Sequence, residues 1–188
     1  MSYKPKGIVL HLSASPWGDA AVIRKWHTDP EPQGRGWNDI GYHAVILNGR
    51  RAYTSEYDQA LDGKIEPGRE LTVQGAHCHA EGMNGVSLGV CCIGTPGIVP
   101  VGAQVLSAGP AFRVCRREYM TRRQFEALIH VCKTWCERLG VDPLGSFWNP
   151  RTGGYVPTIT QHSDHDPGKP FCASLNMTVF RNELRKRL

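Results

Sequence analysis

The sequence lacks a long apolar segment. Its early apolar residues 8–10 are followed directly by His11, and so short a run excludes a signal-peptide core or a membrane span. We therefore expect synthesis in the cytoplasm without a signal peptide, and no stable association with a membrane.

Internal repeats, low-complexity segments and extreme charge are also absent. The 188 residues are 40% hydrophobic and 21% charged, with a net charge of +5. These values exclude a disordered or fibrous chain, and the length suits one well-buried domain over residues 1–188. The moderate positive charge suggests an anionic partner such as nucleic acid, an anionic membrane or a cell-wall polymer. Nothing indicates an obligate partner subunit, so we expect a monomer.

Cysteine is not scarce, but its pattern does not suit disulfides. The chain has seven cysteines, including the adjacent pair Cys91 and Cys92. An odd number and the absence of a signal peptide favour reduced thiols. Cys132 and Cys136 fall on the apolar stripe of a predicted helix, so we expect them in the core.

Apolar patterning predicts a series of strands separated by helices. Strands are expected over residues 6–12, 42–47, 86–93 and 158–161, and Asn48-Gly49 predicts a hairpin turn into a further strand over 51–54. The stretches 95–110 and 143–157 are rich in loop-forming residues, and the first has room for one short strand.

Three helices are expected between these strands. Asp19 is a suitable N-cap for a helix over 20–27, and a last helix begins near residue 177. The clearest helix runs over 121–139, where Thr121 with Gln124 forms a capping box and Gly140 provides the stop. The sequence thus predicts an α/β fold: a single domain with a central mixed β-sheet flanked by helices.

The segment from His162 to Cys172 has the highest density of chemically active groups. Its sequence HSDHDPGKPFC places two imidazoles, two carboxylates, a lysine and a thiol around a Pro-Gly turn. A loop that folds back in this way can direct a histidine and a cysteine at one zinc ion. A catalytic zinc takes three protein ligands, and His11, near the end of an apolar strand, is the best candidate for the third.

Four blocks of sequence follow one another in a distinctive order. The blocks are VLHLSAS at 9–15; WH at 26–27 with GWNDIGYH at 36–43; GAHC at 75–78 with Asn84 and SLGVC at 87–91; and the segment 162–172 followed by ASLNM. Together they resemble the zinc-dependent N-acetylmuramoyl-L-alanine amidases of the type-2 family, which includes phage lysozyme-type endolysins and peptidoglycan recognition proteins. Only 95–118 and 143–157 stand outside the resemblance, as apparent insertions.

The resemblance implies a role for individual residues. It assigns zinc ligation to His11, His162 and Cys172, catalysis to Tyr42 and Lys169, and substrate contact in the groove to His77 and Asn84. In such a site Tyr42 would orient the attacking water or donate to the oxyanion. Lys169 would stabilise negative charge or protonate the leaving amine.

The proposed ligand loop departs from the family pattern. Ala173 stands where the family usually has a proline after the ligand cysteine, and Pro170-Phe171 lengthen the spacing between His162 and Cys172. Asp164, His165 and Asp166 are therefore alternative ligands within the same loop.

The resemblance implies an enzyme that cuts the amide bond between N-acetylmuramic acid and L-alanine in peptidoglycan. We expect a phage or prophage endolysin that binds Zn²⁺ and reaches the cell wall after release. One alternative is a peptidoglycan-binding module of the same fold without catalysis, a class that characteristically lacks the ligand cysteine. A nucleic-acid-binding protein with a structural zinc would need a basic or aromatic platform. None is evident beyond a basic C-terminal cluster, so we expect no nucleic-acid partner.

Overall fold

A mixed sheet of five strands forms the centre of the protein, for which a computed structural model describes residues 3–98, 102–103 and 120–188. The strands of the chain are β1 Gly7–Leu12, β2 Ala44–Asn48, β3 Asp62–Pro67, β4 Ser87–Cys92, β5 Ser146–Asn149, β6 Gly154–Pro157 and β7 Ile159–Gln161. The central sheet has the order β3-β2-β4-β1-β7. Its neighbours pair in parallel, except that the edge strand β3 runs antiparallel to β2.

Helices cover both faces of this sheet. They are α1 Ala20–Thr28, α2 Arg122–Leu139 and α3 Met177–Arg185. Residues of α2 and α3 pack on one face of the sheet and residues of α1 pack on the other. The predicted single α/β domain is thereby confirmed. Because both faces are covered, β1 and β4 are buried along their whole length, which explains their nearly continuous apolar sequences.

The strongest local signals of the sequence are confirmed in α2. Thr121 and Gln124 form both hydrogen bonds of the capping box, and Gly140 ends the helix in a left-handed conformation with φ 65°. Cys132 and Cys136 are buried in the core, as predicted. The adjacent pair also follows the alternation of a strand, because Cys91 packs on the α1 face and Cys92 on the α2 face.

The predicted strand over 51–54 is wrong. The antiparallel partner of β2 is β3, more than ten residues further along the chain, and 51–54 forms bends and turns. The buried side chain of Asn48 explains the difference: its Nδ2 donates to the Pro16 carbonyl at 3.0 Å, and its Oδ1 accepts from Arg50 N at 3.1 Å. These bonds hold the end of β2 against the loop after β1, so the chain leaves the sheet there.

The expectation of a loop-rich segment over 143–157 also needs correction, because β5 and β6 form an antiparallel hairpin there. Phe147 and Val156 point inward and pack near Val9, which attaches the hairpin to the sheet. Most of the connection 95–118, including Cys115 and the possible short strand, lies outside the described residues. Among the residues described, none of the helices combines the length and apolar character that crossing a membrane requires.

Candidate active site

Three side chains converge where β1 and β7 end. His11 lies near the end of β1 and His162 directly follows β7; the two strands run parallel, with Leu10 opposite Gln161. The two imidazoles therefore emerge at the same edge of the sheet, with ring centroids 4.8 Å apart. The loop returns Cys172 to this edge, where its Sγ accepts a hydrogen bond of 3.3 Å from Leu12 N. Potential ligand atoms of His11, His162 and Cys172 all lie within 4.8 Å of one another.

A row of hydrogen bonds fixes the tautomer of His11. His77 Nε2 lies 3.2 Å from the carbonyl oxygen of Ser87, so this nitrogen must carry the proton that it donates. His77 Nδ1 is then an acceptor, and it lies 3.1 Å from His11 Nε2, which must donate to it. The remaining nitrogen of His11, Nδ1, carries no proton and lies 3.7 Å from Cys172 Sγ. Its lone pair is free to bind a metal.

Burial favours the neutral form of the imidazoles of the site. It lowers the pKa of His11 well below its usual value, and the neighbouring rings of His77 and His162 lower it further. Burial also lowers the pKa of His162, against the opposing effect of the Asp166 carboxylate, and lowers that of His77 to about 3. Neutral imidazole is the form that binds metal.

The Cys172 thiol is protonated in the absence of a metal. Burial raises its pKa to about 11, although the Leu12 N–H and the positive charge of Lys169 favour the thiolate. A cation between the three side chains would favour the thiolate, so metal binding would displace this proton.

The ring of His165 is hydrogen-bonded to residues outside the cluster. Its Nδ1 lies 2.6 Å from Glu81 Oε2 and its Nε2 lies 2.8 Å from Thr160 Oγ1, so both ring nitrogens have partners. The side chain is buried and ties the loop to β7 and to the 3-10 segment Ala80–Gly85. This arrangement disfavours His165 as the alternative ligand. No local motif of the sequence indicated its partner Glu81, which lies 84 residues away.

The two carboxylates of the loop take supporting positions. Asp164 accepts hydrogen bonds from Gln161 N at 3.1 Å and from Gln161 Nε2 at 3.2 Å, which closes the turn after β7. Asp166 Oδ2 lies 3.7 Å from His162 Nε2. Within the described parts of the chain, only His11, His162 and Cys172 form a convergent group of three suitable donors.

Tyr42 and Lys169 both interact with the cluster. The Tyr42 ring, just before β2, is 5.1 Å from the His11 ring between centroids. Burial raises the pKa of Tyr42 well above its usual value, and the Cys91 thiol to which it is hydrogen-bonded raises it further, so the phenol keeps its proton. Lys169 is exposed, and its charge lowers the pKa values of both Cys172 and His162.

His77 and Asn84, for which substrate contact is predicted, are joined to each other by a hydrogen bond. His77 lies behind His11 and is only 6% exposed, with both ring nitrogens engaged within the protein. Asn84 Oδ1 accepts from His77 N at 2.8 Å and from Cys78 N at 2.7 Å. Asn84 also lines a cavity of about 620 Å³ between the Ala80–Gly85 segment and the hairpin turn, with His79, Glu81 and Arg151 among the other lining residues. Of the two expected groove residues, the structure places only Asn84 at a cavity.

Comparison with known proteins agrees with the geometry. The family model described as N-acetylmuramoyl-L-alanine amidase matches residues 1–169. The endolysin of Enterobacteria phage T3 is 34% identical over 101 residues, which are 50% of this chain and 54% of that protein. The endolysin of Escherichia phage T7 is 36% identical over 90 residues, or 46% of each chain. The chain thus spans about half the length of the curated relatives it matches.

A solved structure reproduces the whole fold. The N-acetylmuramoyl-L-alanine amidase LysC from Clostridium intestinale superposes with a TM-score of 0.61, covering 97% of this chain and 87% of its own at 17% identity. At this identity the likeness concerns the fold. It extends over 97% of this chain, whereas the two curated relatives match 50% and 46% of it.

Proposed function

We propose, from the premise that this chain belongs to the N-acetylmuramoyl-L-alanine amidase family, that it hydrolyses the amide bond between N-acetylmuramic acid and L-alanine in peptidoglycan. The convergence of His11, His162 and Cys172 at one sheet edge is the observation that carries the proposal. The similarity to two phage endolysins supports the same role for this protein, acting on the cell wall after release. We propose peptidoglycan as its partner and a monomer as its working form.

The donor set of the cluster fits zinc. Two imidazoles and one thiolate are ligands of intermediate softness that suit Zn²⁺, and three protein ligands leave a fourth position for water. When bound, zinc would lower the pKa of a water molecule to about 7 and polarise the scissile carbonyl. His11 would bind through Nδ1, because His77 holds the proton on the other nitrogen. His77 is thus better suited to positioning a ligand than to contacting the substrate.

The remaining side chains suit the handling of charge and protons. The Tyr42 phenol, which keeps its proton, can donate a hydrogen bond to the oxyanion or orient the attacking water. Lys169 is exposed and its positive charge acts on Cys172 and His162, so it can stabilise negative charge or deliver a proton to the leaving amine. Asn84 Oδ1 holds the backbone next to His77 and thereby supports the row of hydrogen bonds behind His11.

The alternative of a peptidoglycan-binding module without catalysis is disfavoured by Cys172. The thiol of this residue lies 3.7 Å from His11 Nδ1 in spite of the altered residues around it. A protein that only binds the polymer has no need of a third donor at this point.

The amidase reaction is tested by its products. We expect the zinc-loaded protein to release new N-terminal alanine from peptidoglycan without new reducing sugar ends, and a chelator to abolish the release. Absence of release from the zinc-loaded sample would refute the proposal, and new sugar ends would indicate a glycosidase instead.

The ligand set is tested by a matched pair of cysteine variants. Cys172→Ala should lose both bound zinc and activity. Cys132→Ala removes a buried core thiol and should keep zinc, with a loss of stability on the order of 1–3 kcal/mol. Retention of zinc and activity in Cys172→Ala would refute the assignment.

A further inference from the structure

The β5–β6 hairpin presents an aromatic pair to solvent. Trp148 and Tyr155 lie directly opposite each other in the strand register, with ring centroids 5.5 Å apart and ring planes at 74°. They are 49% and 74% exposed, whereas Phe147 and Val156 on the inner face are buried. An antiparallel ribbon with one face on the core usually carries polar side chains on its outer face. An exposed aromatic pair at that position therefore indicates a contact surface.

The hairpin is linked to the candidate active site by direct contacts. Asn149 Nδ2, at the end of β5, donates to the Glu81 carbonyl at 3.1 Å. The Glu81 carboxylate in turn contacts His165, inside the ligand loop, at 2.6 Å. Arg151 in the hairpin turn lies against Gly82 and lines the cavity of about 620 Å³ together with Glu81. These contacts place the hairpin turn beside the cavity and, through Glu81, next to the ligand loop.

The size of the aromatic surface limits what can bind there. A Trp and a Tyr side chain each bury about 150–250 Å². Together they fall short of the roughly 800 Å² per partner that a stable protein–protein interface requires. A second copy of the chain is therefore a poor occupant, and a ligand of a few flat rings fits better.

The chemistry of the surface favours a saccharide. The C–H face of a pyranose ring is flat and apolar and stacks on an exposed aromatic ring, while the indole N–H and phenol O–H can bond to hydroxyl and acetamido groups. The exposed guanidinium of Arg151 offers a fork for the carboxylates of an anionic polymer. The net charge of +5 suits the same polymer.

We propose that Trp148 and Tyr155 form a saccharide-binding platform that holds the glycan strand of peptidoglycan beside the active site. The identity of the polymer rests on the proposed function, but the platform itself does not require catalysis. The platform would increase the rate on polymeric substrate, where one strand can occupy both the hairpin and the site of cleavage. A substrate with a single sugar would gain nothing from it.

The test compares two substrates with a double variant, W148A/Y155A. Its kcat/KM on intact sacculi should fall about tenfold, the size of one lost stacking contact. On a soluble muramoyl peptide with one sugar, kcat/KM should remain within about twofold of wild type, since that ligand engages no stacking contact. Tyr53→Ala is the matched control, because Tyr53 lies in the loop after β2 and has the same exposed fraction as Tyr155, 74%. It should leave both rates unchanged.

A binding assay separates this inference from the amidase proposal. Wild-type protein should sediment with peptide-free glycan strands, and W148A/Y155A should not, at an unchanged melting temperature. Equal losses on both substrates, or no loss on sacculi, would overturn the platform. If wild-type protein fails to bind the glycan strands, the inference is wrong whatever the activity. If the protein binds them but releases no alanine from peptidoglycan, the amidase proposal fails and the platform stands.

Discussion

His77 accepts a hydrogen bond from His11 across 3.1 Å, and by doing so selects the nitrogen with which His11 can bind a metal. The carbonyl of Ser87 on β4 fixes the proton of His77 in turn. The orientation of a proposed zinc ligand therefore depends on the backbone of a neighbouring strand, through one buried imidazole.

Removal of this acceptor should weaken zinc binding. His77→Ala leaves the Nε2 proton of His11 buried without a partner, so we expect zinc affinity to fall by about 10- to 100-fold. His77→Asn, which places an amide oxygen near the position of Nδ1, should retain more of the affinity. Competition with a zinc-binding dye measures both variants. Wild-type affinity in His77→Ala would contradict the positioning role.

The space around His77 allows a second test. A Cβ added to Gly89 of β4 would lie 2.4 Å from His77 Cγ. Gly89→Ala should therefore displace the ring, lower the free energy of unfolding by about 1–3 kcal/mol and reduce zinc affinity. Gly154→Ala in β6 is the control, because its nearest neighbour, Thr152 Oγ1, lies 3.9 Å away. Denaturant titration and zinc competition should separate the two, and equal effects would exclude the proposed clash.

Zinc binding should release fewer protons at mildly acidic pH than it would at a site with ordinary imidazoles. Burial lowers the pKa values of His11 and His162 and so favours their neutral rings, whereas Cys172, with its pKa raised to about 11, must lose a proton to bind. Affinity should hence fall with decreasing pH by about tenfold per unit for the Cys172 proton, with a smaller further loss from the two rings. If the two imidazoles had ordinary pKa values near 6.5, zinc binding would release up to two further protons. Calorimetry in buffers of different ionisation enthalpy counts them, and a value near three would contradict the neutral rings.

The two histidines of the ligand loop should have different roles: His165 should contribute to stability and His162 to zinc binding. His165→Ala removes the link between Glu81 and the buried Thr160 hydroxyl. We expect it to bind one zinc per molecule, with a free energy of unfolding lower by about 1–3 kcal/mol. His162→Ala should lose zinc. Metal analysis and thermal unfolding of the two purified variants provide the comparison, and the reverse pattern would assign the ligand to His165.

Local signals made part of this structure predictable. The bounds of α2 follow from the Thr121 capping box and from Gly140, which act within one helical turn. The convergence of His11 with His162 was predictable in outline, because parallel strands bring their carboxyl ends to one edge. Cys172 could be predicted as a ligand because the loop resembles a known pattern of zinc ligands.

The remaining features of the fold and the site could not be predicted from the sequence, because they depend on long-range contacts. Strand β3 has the sequence DGKIEP, which lacks apolar alternation, and it becomes a strand only by pairing with β2. The role of His77 as a partner of His11 depends on a contact between residues 66 positions apart. The position of His165 likewise depends on Glu81, to which no local pattern points.

Two of the proposed zinc ligands, His11 and Cys172, lie 161 positions apart in the sequence. A bound ion would therefore close a long loop of the chain, and such closure stabilises most when the loop is long. It also means that a growing chain on the ribosome cannot bind zinc through all three ligands until Cys172 has been made and β7 has joined β1. If the proposed function is correct, a fragment that stops before Cys172 would lack hydrolytic capacity and would be harmless to the cell that makes it.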